Sequence, residues 1–171
     1  PLEVDGFEFS KDESKLLLYT NSKRVWRRNT RGDYWVLDLA TRELTKIGGN
    51  AAPSTLMFAK FSPDGARVAY VRENNIYVQE LRGMRIDALT TSGSAKLING
   101  TADWVNEEEL DIRDGYRWSP DGGSIAFWQF DTTGVREFHL INNARDTYPK
   151  ITSFPYPKVG ERNSATRLGV V

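Results

Sequence analysis

The sequence has 171 residues, which is enough for one domain or for part of a larger one. Lys and Arg together number 23, as do Asp and Glu, so no net charge draws the chain toward nucleic acid or an anionic membrane. The 12% aromatic content and the mean hydropathy of -0.52 are typical of soluble globular proteins. The chain has no cysteine, which excludes disulfides, thiolate zinc sites and a cysteine nucleophile.

The two ends of the chain are expected to be cut within a longer protein. The sequence opens at PLEVDGFEFS and stops at RLGVV, on a strand-like run. No apolar run approaches the ~20 residues that a membrane-spanning helix requires, and we identify no signal peptide in the sequence.

Three similar segments follow one another along the chain: FEFSKDESKLLLYT, AKFSPDGARVAYVRENNIYV and YRWSPDGGSIAFWQFD. Each contains an aromatic residue, a serine, Pro or Lys, an aspartate, a turn and then an apolar strand. The serines in register are Ser10, Ser62 and Ser119. Two copies carry Pro-Asp-Gly at the turn, where proline presets φ and glycine accepts a positive φ.

The segments after these turns alternate as strands do, with Val68 and Tyr70 in one copy and Ile125 and Phe127 in another. Further strands are predicted in NNIYVQEL and DYWVLDLATRELTKI. Four strands per repeat are typical of β-propeller blades, so we predict an all-β chain forming an arc of three to four four-stranded blades. A β-sandwich is the alternative, although it does not explain the recurring turn. An isolated arc would expose two blade faces.

The residues predict no catalytic machinery within the chain. The nucleophile elbow G-x-S-x-G is absent, and the closest match, GGSIA, lacks the last glycine. His139 is the only histidine and lies in a predicted strand, so we interpret it as structural. The sequence also lacks calcium-loop spacing and a Gly-rich phosphate loop, and we expect neither a metal site nor a cofactor.

An acidic run stands out in TADWVNEEEL, where Glu107, Glu108 and Glu109 are consecutive. One interpretation is a short helical turn capped by Asp103, with the glutamates near the positive end of the helix. The other is that two neighbouring carboxylates bind an ammonium group, which offers three charge-assisted hydrogen bonds. The residues alone leave both interpretations open.

A cationic run lies in NSKRVWRRNTRGDY, with five Lys or Arg residues from Lys23 to Arg31. A solvated hairpin tip is one interpretation, and an arginine that lines a site is another. The neutral total charge argues against a nucleic-acid patch.

Together these segments resemble a known family. TADWVNEEELDIRDGYRWSPDGGSIAFWQFD and the later YPKITSFPYPKVGERN resemble the propeller domain of the dipeptidyl peptidase IV family, serine peptidases of the prolyl oligopeptidase clan. VWRRNTRGDYWVLDL is similar to the segment in which that family carries a Trp-Arg pair. The resemblance covers nearly the whole chain and is strongest from Asp103 to Asn163.

The resemblance implies a function for the acidic and cationic runs. It implies that residues 1–171 are a fragment of an eight-bladed N-terminal propeller, and that an α/β-hydrolase domain outside this chain supplies a Ser-Asp-His triad. Glu108 and Glu109 would grip the N-terminal ammonium of a peptide, and Arg27 would contact its backbone carbonyl. Arg28 is an alternative match for that arginine, and Glu107 is expected to be structural. The parent protein would release Xaa-Pro or Xaa-Ala dipeptides.

Several expectations follow from the family alone. The expected partners are a peptide with a free amine and the hydrolase domain of the parent, and a homodimer of the parent is also considered. The expected location is the periplasm or the cell surface. Asn106 departs from an aromatic residue common in relatives, which leaves room for a tripeptidyl peptidase. A non-enzymatic propeller module is the alternative outside the peptidases, whereas an acylaminoacyl peptidase or oligopeptidase would not need the carboxylates. The tripeptide NGT at Asn99 matches a glycosylation sequon.

Overall fold

The computed structural model describes residues 2–144 and 146–171, which form fourteen β-strands and one α-helix. The strands are β1 (Val4–Phe9), β2 (Lys15–Arg24), β3 (Asn29–Asp38), β4 (Leu44–Lys46), β5 (Met57–Phe61), β6 (Arg67–Arg72), β7 (Asn75–Glu80), β8 (Ile86–Ala88), β9 (Leu97–Asn99), β10 (Tyr116–Trp118), β11 (Ile125–Asp131), β12 (Glu137–Asn142), β13 (Lys150–Pro155) and β14 (Ala165–Val170). The helix α1 spans Trp104–Leu110. Across these described ranges, no helix has both the length and the apolar character that crossing a membrane requires.

The strands form antiparallel sheets that follow the chain. The first sheet has the order β1-β2-β3-β4 and the second the order β5-β6-β7-β8. The third contains β10-β11-β14, with β9 paired to β11, while β12 and β13 form a separate hairpin inserted between β11 and β14. Two sheets are therefore four-stranded meanders of the kind that forms propeller blades.

The repeated serine and aspartate build the same turn in all three sheets. The serine hydroxyl donates to the aspartate two residues later and accepts the backbone N–H five residues later, at 3.0 Å in each copy. The three sets are Ser10–Asp12–Lys15, Ser62–Asp64–Arg67 and Ser119–Asp121–Ser124. The serine hydrogen bond lowers the pKa of each aspartate, to about 2 for Asp12. The repeat in the sequence is therefore a hydrogen-bonding requirement of the turns that join β1 to β2, β5 to β6 and β10 to β11.

Strand β6 is buried on both faces and joins the two parts of the core. Its residues Val68 and Tyr70 belong to a cluster shared with the first sheet, in which Leu17 and Val36 are buried. The alternate residue Val71 belongs to a second cluster, which includes residues of the third sheet. Since successive strand residues point to opposite faces, the second sheet packs between the other two.

The outward faces of the first and third sheets carry exposed apolar side chains. Phe7 on β1 is 66% exposed, and on β14 Leu168 and Val170 are 65% and 67% exposed. These are the two open blade faces expected of an arc.

Asn99 of the NGT tripeptide is buried where the third sheet meets the second. Its side chain is fully buried and donates to the backbone carbonyl of Asn74 at 3.0 Å. Its side-chain oxygen accepts a hydrogen bond from Gln129 at 2.8 Å. The folded chain therefore does not present this sequon to a glycosylating enzyme.

Candidate functional site

Helix α1 lies between β9 and β10 and is fixed at both ends. The Asp103 carboxylate accepts the backbone N–H of Asn106 at 3.1 Å and its side-chain amide at 2.7 Å, and it also accepts the hydroxyl of Ser164. At the other end, Asp111 adopts a left-handed conformation with φ 57° and donates its N–H to the Asn106 carbonyl. The short helix capped by Asp103 is confirmed, but of the three glutamates only Glu107 lies in its first turn, so the other two are not at the positive end of the helix.

The first glutamate of the run points into the protein. The Glu107 carboxylate is buried and lies 3.4 Å from Nε of Arg113, which continues the chain after α1. Burial raises the pKa of Glu107, and the neighbouring Arg113 guanidinium opposes that rise. Glu107 therefore anchors the helix to the chain beneath it, in agreement with the structural role expected of it.

The second glutamate contacts the cationic run. Oε1 of Glu108 and Nε of Arg27 form an ion pair. The Glu108 side chain is only 14% exposed, whereas that of Arg27 is 76% exposed. Two residues singled out separately in the sequence are thus brought together, and the ion pair engages one of the two carboxylate oxygens of Glu108.

The third glutamate faces a neighbouring cleft. Glu109 is exposed and lines a cleft of about 770 Å³, together with Trp104, Tyr156 and Lys158. Successive helical residues point about 100° apart, so Glu109 and Glu108 diverge from the helix axis. A group that contacts both carboxylates would therefore lie at the edge of α1 between Arg27 and the cleft.

Arg27 is carried by the tip that connects β2 to β3. The backbone N–H of Val25 donates to the carbonyl of Arg28 at 3.0 Å, which closes this tip. The register of β2 with β3 shifts between Thr20 and Arg24, so the tip departs from the regular ladder. Arg28 is exposed beside it, and the ion pair to Glu108 distinguishes Arg27 from this neighbour.

An aromatic cluster behind the ion pair was not predicted from the sequence. It contains Trp26, Trp104, Phe138, Phe154 and Tyr156, whose ring centroids lie 4.3 to 6.1 Å apart in contacting pairs. These residues come from the β2–β3 tip, from α1 and from the β12–β13 hairpin. Of these five rings, only Trp26 and Trp104 lie in the two charged runs, and no local pattern in the sequence links them to the three rings that follow much later in the chain.

His139 lies on β12, as the strand prediction required. Its Nδ1 is 2.7 Å from the hydroxyl of Ser153 on the paired strand β13. Within residues 2–144 and 146–171, no three His, Cys, Asp or Glu side chains come together as metal ligands.

The arrangement suits recognition of a cation. Two carboxylates project from one short helix, and an arginine forms an ion pair with one of them. An ammonium at this edge would gain charge-assisted hydrogen bonds, which are about twice as strong as neutral ones. Fold and site together define a β-propeller segment with a carboxylate site at the end of its blades.

Comparison with known proteins identifies the family. Residues 10–171 match the family described as the dipeptidyl peptidase IV (DPP IV) N-terminal region, and the chain belongs to this family. The crystal structure of Porphyromonas gingivalis dipeptidyl peptidase 4 superposes with a TM-score of 0.91 at 29% identity, over 98% of this chain and 24% of that one. The predicted propeller fold is thereby confirmed.

Curated relatives agree with this assignment. The chain is 37% identical to dipeptidyl aminopeptidase B of Saccharomyces cerevisiae, over 99% of this chain and 21% of that protein. It is 30% identical to human prolyl endopeptidase FAP, again over 99% of this chain and 22% of the relative. The chain spans about a fifth of the length of these relatives.

Proposed function

We propose that this chain is the part of a dipeptidyl-peptidase-IV-like serine exopeptidase that recognises the N-terminus of the peptide substrate. Glu108 and Glu109 bind the free ammonium, and Arg27 contacts a backbone carbonyl of the substrate. The nucleophile and its partners belong to an α/β-hydrolase domain of the same parent protein, which releases Xaa-Pro or Xaa-Ala dipeptides. A periplasmic or cell-surface location is part of the same proposal.

The observation that carries the proposal is the ion pair between Arg27 and Glu108 beside Glu109. The tip of one sheet and a helix of another bring these three ionisable side chains to one edge of the molecule. Family membership and the names of the relatives support a peptidase that acts at peptide N-termini.

The physical basis is the set of charge-assisted hydrogen bonds that a free amine can donate to the two carboxylates and a blocked one cannot. A free amine satisfies both carboxylates, whereas an acetylated N-terminus has lost its charge and cannot. Arg27 already engages one oxygen of the largely buried Glu108 carboxylate, so a blocked substrate would leave its other oxygen without the charged donor that a free amine supplies. A fixed anionic site at a set distance from a nucleophile would then select how many residues are released.

The test uses the full-length parent protein with Glu108→Gln and Glu109→Gln combined, assayed on Gly-Pro-anilide and on its N-acetylated form. We expect the wild type to cleave only the free amine and the double variant to lose at least 100-fold in kcat/KM, about 2.7 kcal/mol. Glu107→Gln is the matched control, because Glu107 faces Arg113 inside the protein. A double variant equal to wild type would assign these glutamates to the helix and remove the exopeptidase proposal.

A further inference from the structure

Strands β12 and β13 are exposed along most of their length, and only one of their residues is buried. All six residues of β12 and the first four of β13 are exposed. Phe154 is the exception, because its side chain is only 9% exposed. A single buried aromatic residue in an otherwise solvated hairpin marks the point at which the hairpin packs on the rest of the molecule.

Phe154 packs on both elements that carry the recognition residues. Its ring centroid lies 4.8 Å from that of Trp26, the residue immediately before Arg27. It lies 6.0 Å from that of Trp104, the first residue of α1. Trp104 is one helical turn before Glu108 and on the same face of the helix.

The contacts of the two tryptophans give Phe154 a linking position. The Trp104 ring also packs on that of Tyr156, with centroids 4.3 Å apart, which holds the start of α1 against the chain that leaves the hairpin. Trp26 packs on Phe154 near the end of an irregular tip whose arginine is 76% exposed. Phe154 is therefore in ring contact with both the tip and the helix, beside the ion pair that also joins them.

We propose that Phe154 is a positioning residue for amine recognition: it holds the Arg27-bearing tip and the Glu108-bearing helix at one separation. The inserted hairpin supplies this ring, so the hairpin takes part in substrate recognition from behind the carboxylates. This inference rests on the proposed function. It assigns to Phe154 no contact with the substrate.

The test compares Phe154→Ala with Phe138→Ala in the full-length parent protein. Phe138 is on the partner strand β12, is 37% exposed, and makes its ring contacts with Phe154 and Tyr156. We expect Phe154→Ala to raise KM for Gly-Pro-anilide at least tenfold with a smaller change in kcat. Phe138→Ala should stay within about threefold of wild type, and Phe154→Leu should recover most of the lost affinity because it refills the same space.

A second substrate separates positioning from loss of the fold. p-Nitrophenyl acetate has no amine, so its hydrolysis reports the nucleophile of the parent without the propeller site. Phe154→Ala should hydrolyse it within about twofold of wild type. An equal loss on both substrates, or an effect no larger than that of Phe138→Ala, would overturn the inference.

These outcomes remain distinct from failure of the proposed function. If the Glu108→Gln, Glu109→Gln double variant loses activity while Phe154→Ala does not, the carboxylates act without help from the hairpin. If the double variant keeps full activity on the free amine, the proposed recognition site is wrong, and so is the positioning role of Phe154.

Discussion

Arg27 and Glu108 form an ion pair between the β2–β3 tip of the first sheet and the helix that precedes β10 of the third. The tip passes over the second sheet on its way, because Met57 and Asn74 line the same small cavity as Trp26 and Trp104. Three successive sheets therefore contribute to one surface, and the ion pair joins the first to the last.

Arg27→Ala should lower kcat/KM for Gly-Pro-anilide at least tenfold in the full-length parent, about 1.4 kcal/mol. The substitution removes both the proposed carbonyl contact and the counter-ion of Glu108. Arg28→Ala is the matched control, since Arg28 is adjacent and exposed. It should remain within about twofold of wild type in the same steady-state assay. A larger loss in Arg28→Ala would transfer the role to that neighbour.

Arg113→Met should destabilise the protein by about 1–3 kcal/mol, because it leaves the buried Glu107 carboxylate without its guanidinium. Adding Glu107→Gln should restore part of that loss, since a neutral amide is less costly to bury than a lone charge. Urea unfolding of the full-length parent measures both variants. A double variant less stable than the single would show that the ion pair is not the reason for the loss.

The loss of stability in Arg113→Met should depend on pH. The pKa of Glu107 is raised in the folded chain, so its bound proton favours folding at acidic pH, and that contribution is lost as pH rises through the folded pKa. Arg113→Met removes a group that lowers this pKa, so the folded pKa of Glu107 moves further above its unfolded value. The destabilisation should therefore be smaller near pH 5 than near pH 7.5, as measured by unfolding at both values.

The local elements of this fold were visible in the sequence. The recurring Ser and Asp residues marked the turns because each turn needs the same two hydrogen bonds, and Asp103 marked the start of α1 as a cap. Alternation along β6 also indicated a strand, although burial of both its faces depends on the packing of neighbouring sheets.

The assembly of the site could not be predicted from the residues alone. The partner of Glu108 is fixed by how three sheets stack and by the irregular register of β2 with β3, neither of which has a local pattern. The sequence predicted a strand around His139, but it did not predict that this strand pairs with β13 as a hairpin inserted between β11 and β14. The burial of Phe154 within it depends on contacts with Trp26 and Trp104, which belong to distant parts of the sequence.

Gly100→Ala should destabilise the protein by about 1–3 kcal/mol more than Gly160→Ala. Both glycines have a positive φ, 75° and 82°, so both substitutions carry a similar backbone cost. At Gly100 the new Cβ would also lie 2.7 Å from a side-chain carbon of Ile76 and 3.0 Å from one of Val71, whereas the space at Gly160 is open. Thermal unfolding of the full-length parent compares the two. Equal losses would mean that the side chains at the junction of the second and third sheets shift to accommodate the new Cβ at little cost.

Lys60 gives a prediction for alkaline pH. Burial lowers the pKa of its ammonium to about 8, against the opposing pull of Asp114, with which it forms an ion pair beside Tyr116. The other charges that act on it are Arg117, which also contacts Asp114, and Glu8 on β1. The ammonium thus holds its proton less tightly in the folded chain than in the unfolded chain.

The sign follows from proton binding. Between about pH 8 and 10.5 the unfolded chain keeps a proton on Lys60 that the folded chain has released, so the contribution of Lys60 to stability rises with pH there. Lys60→Met should remove this rise. The thermal midpoint of the variant minus that of wild type should therefore be lower at pH 9.5 than at pH 7.5. Lys11→Met is the control, because Lys11 is exposed and solvated in both states. If the difference between Lys60→Met and wild type does not change across this range, the ammonium of Lys60 keeps its proton in the folded chain.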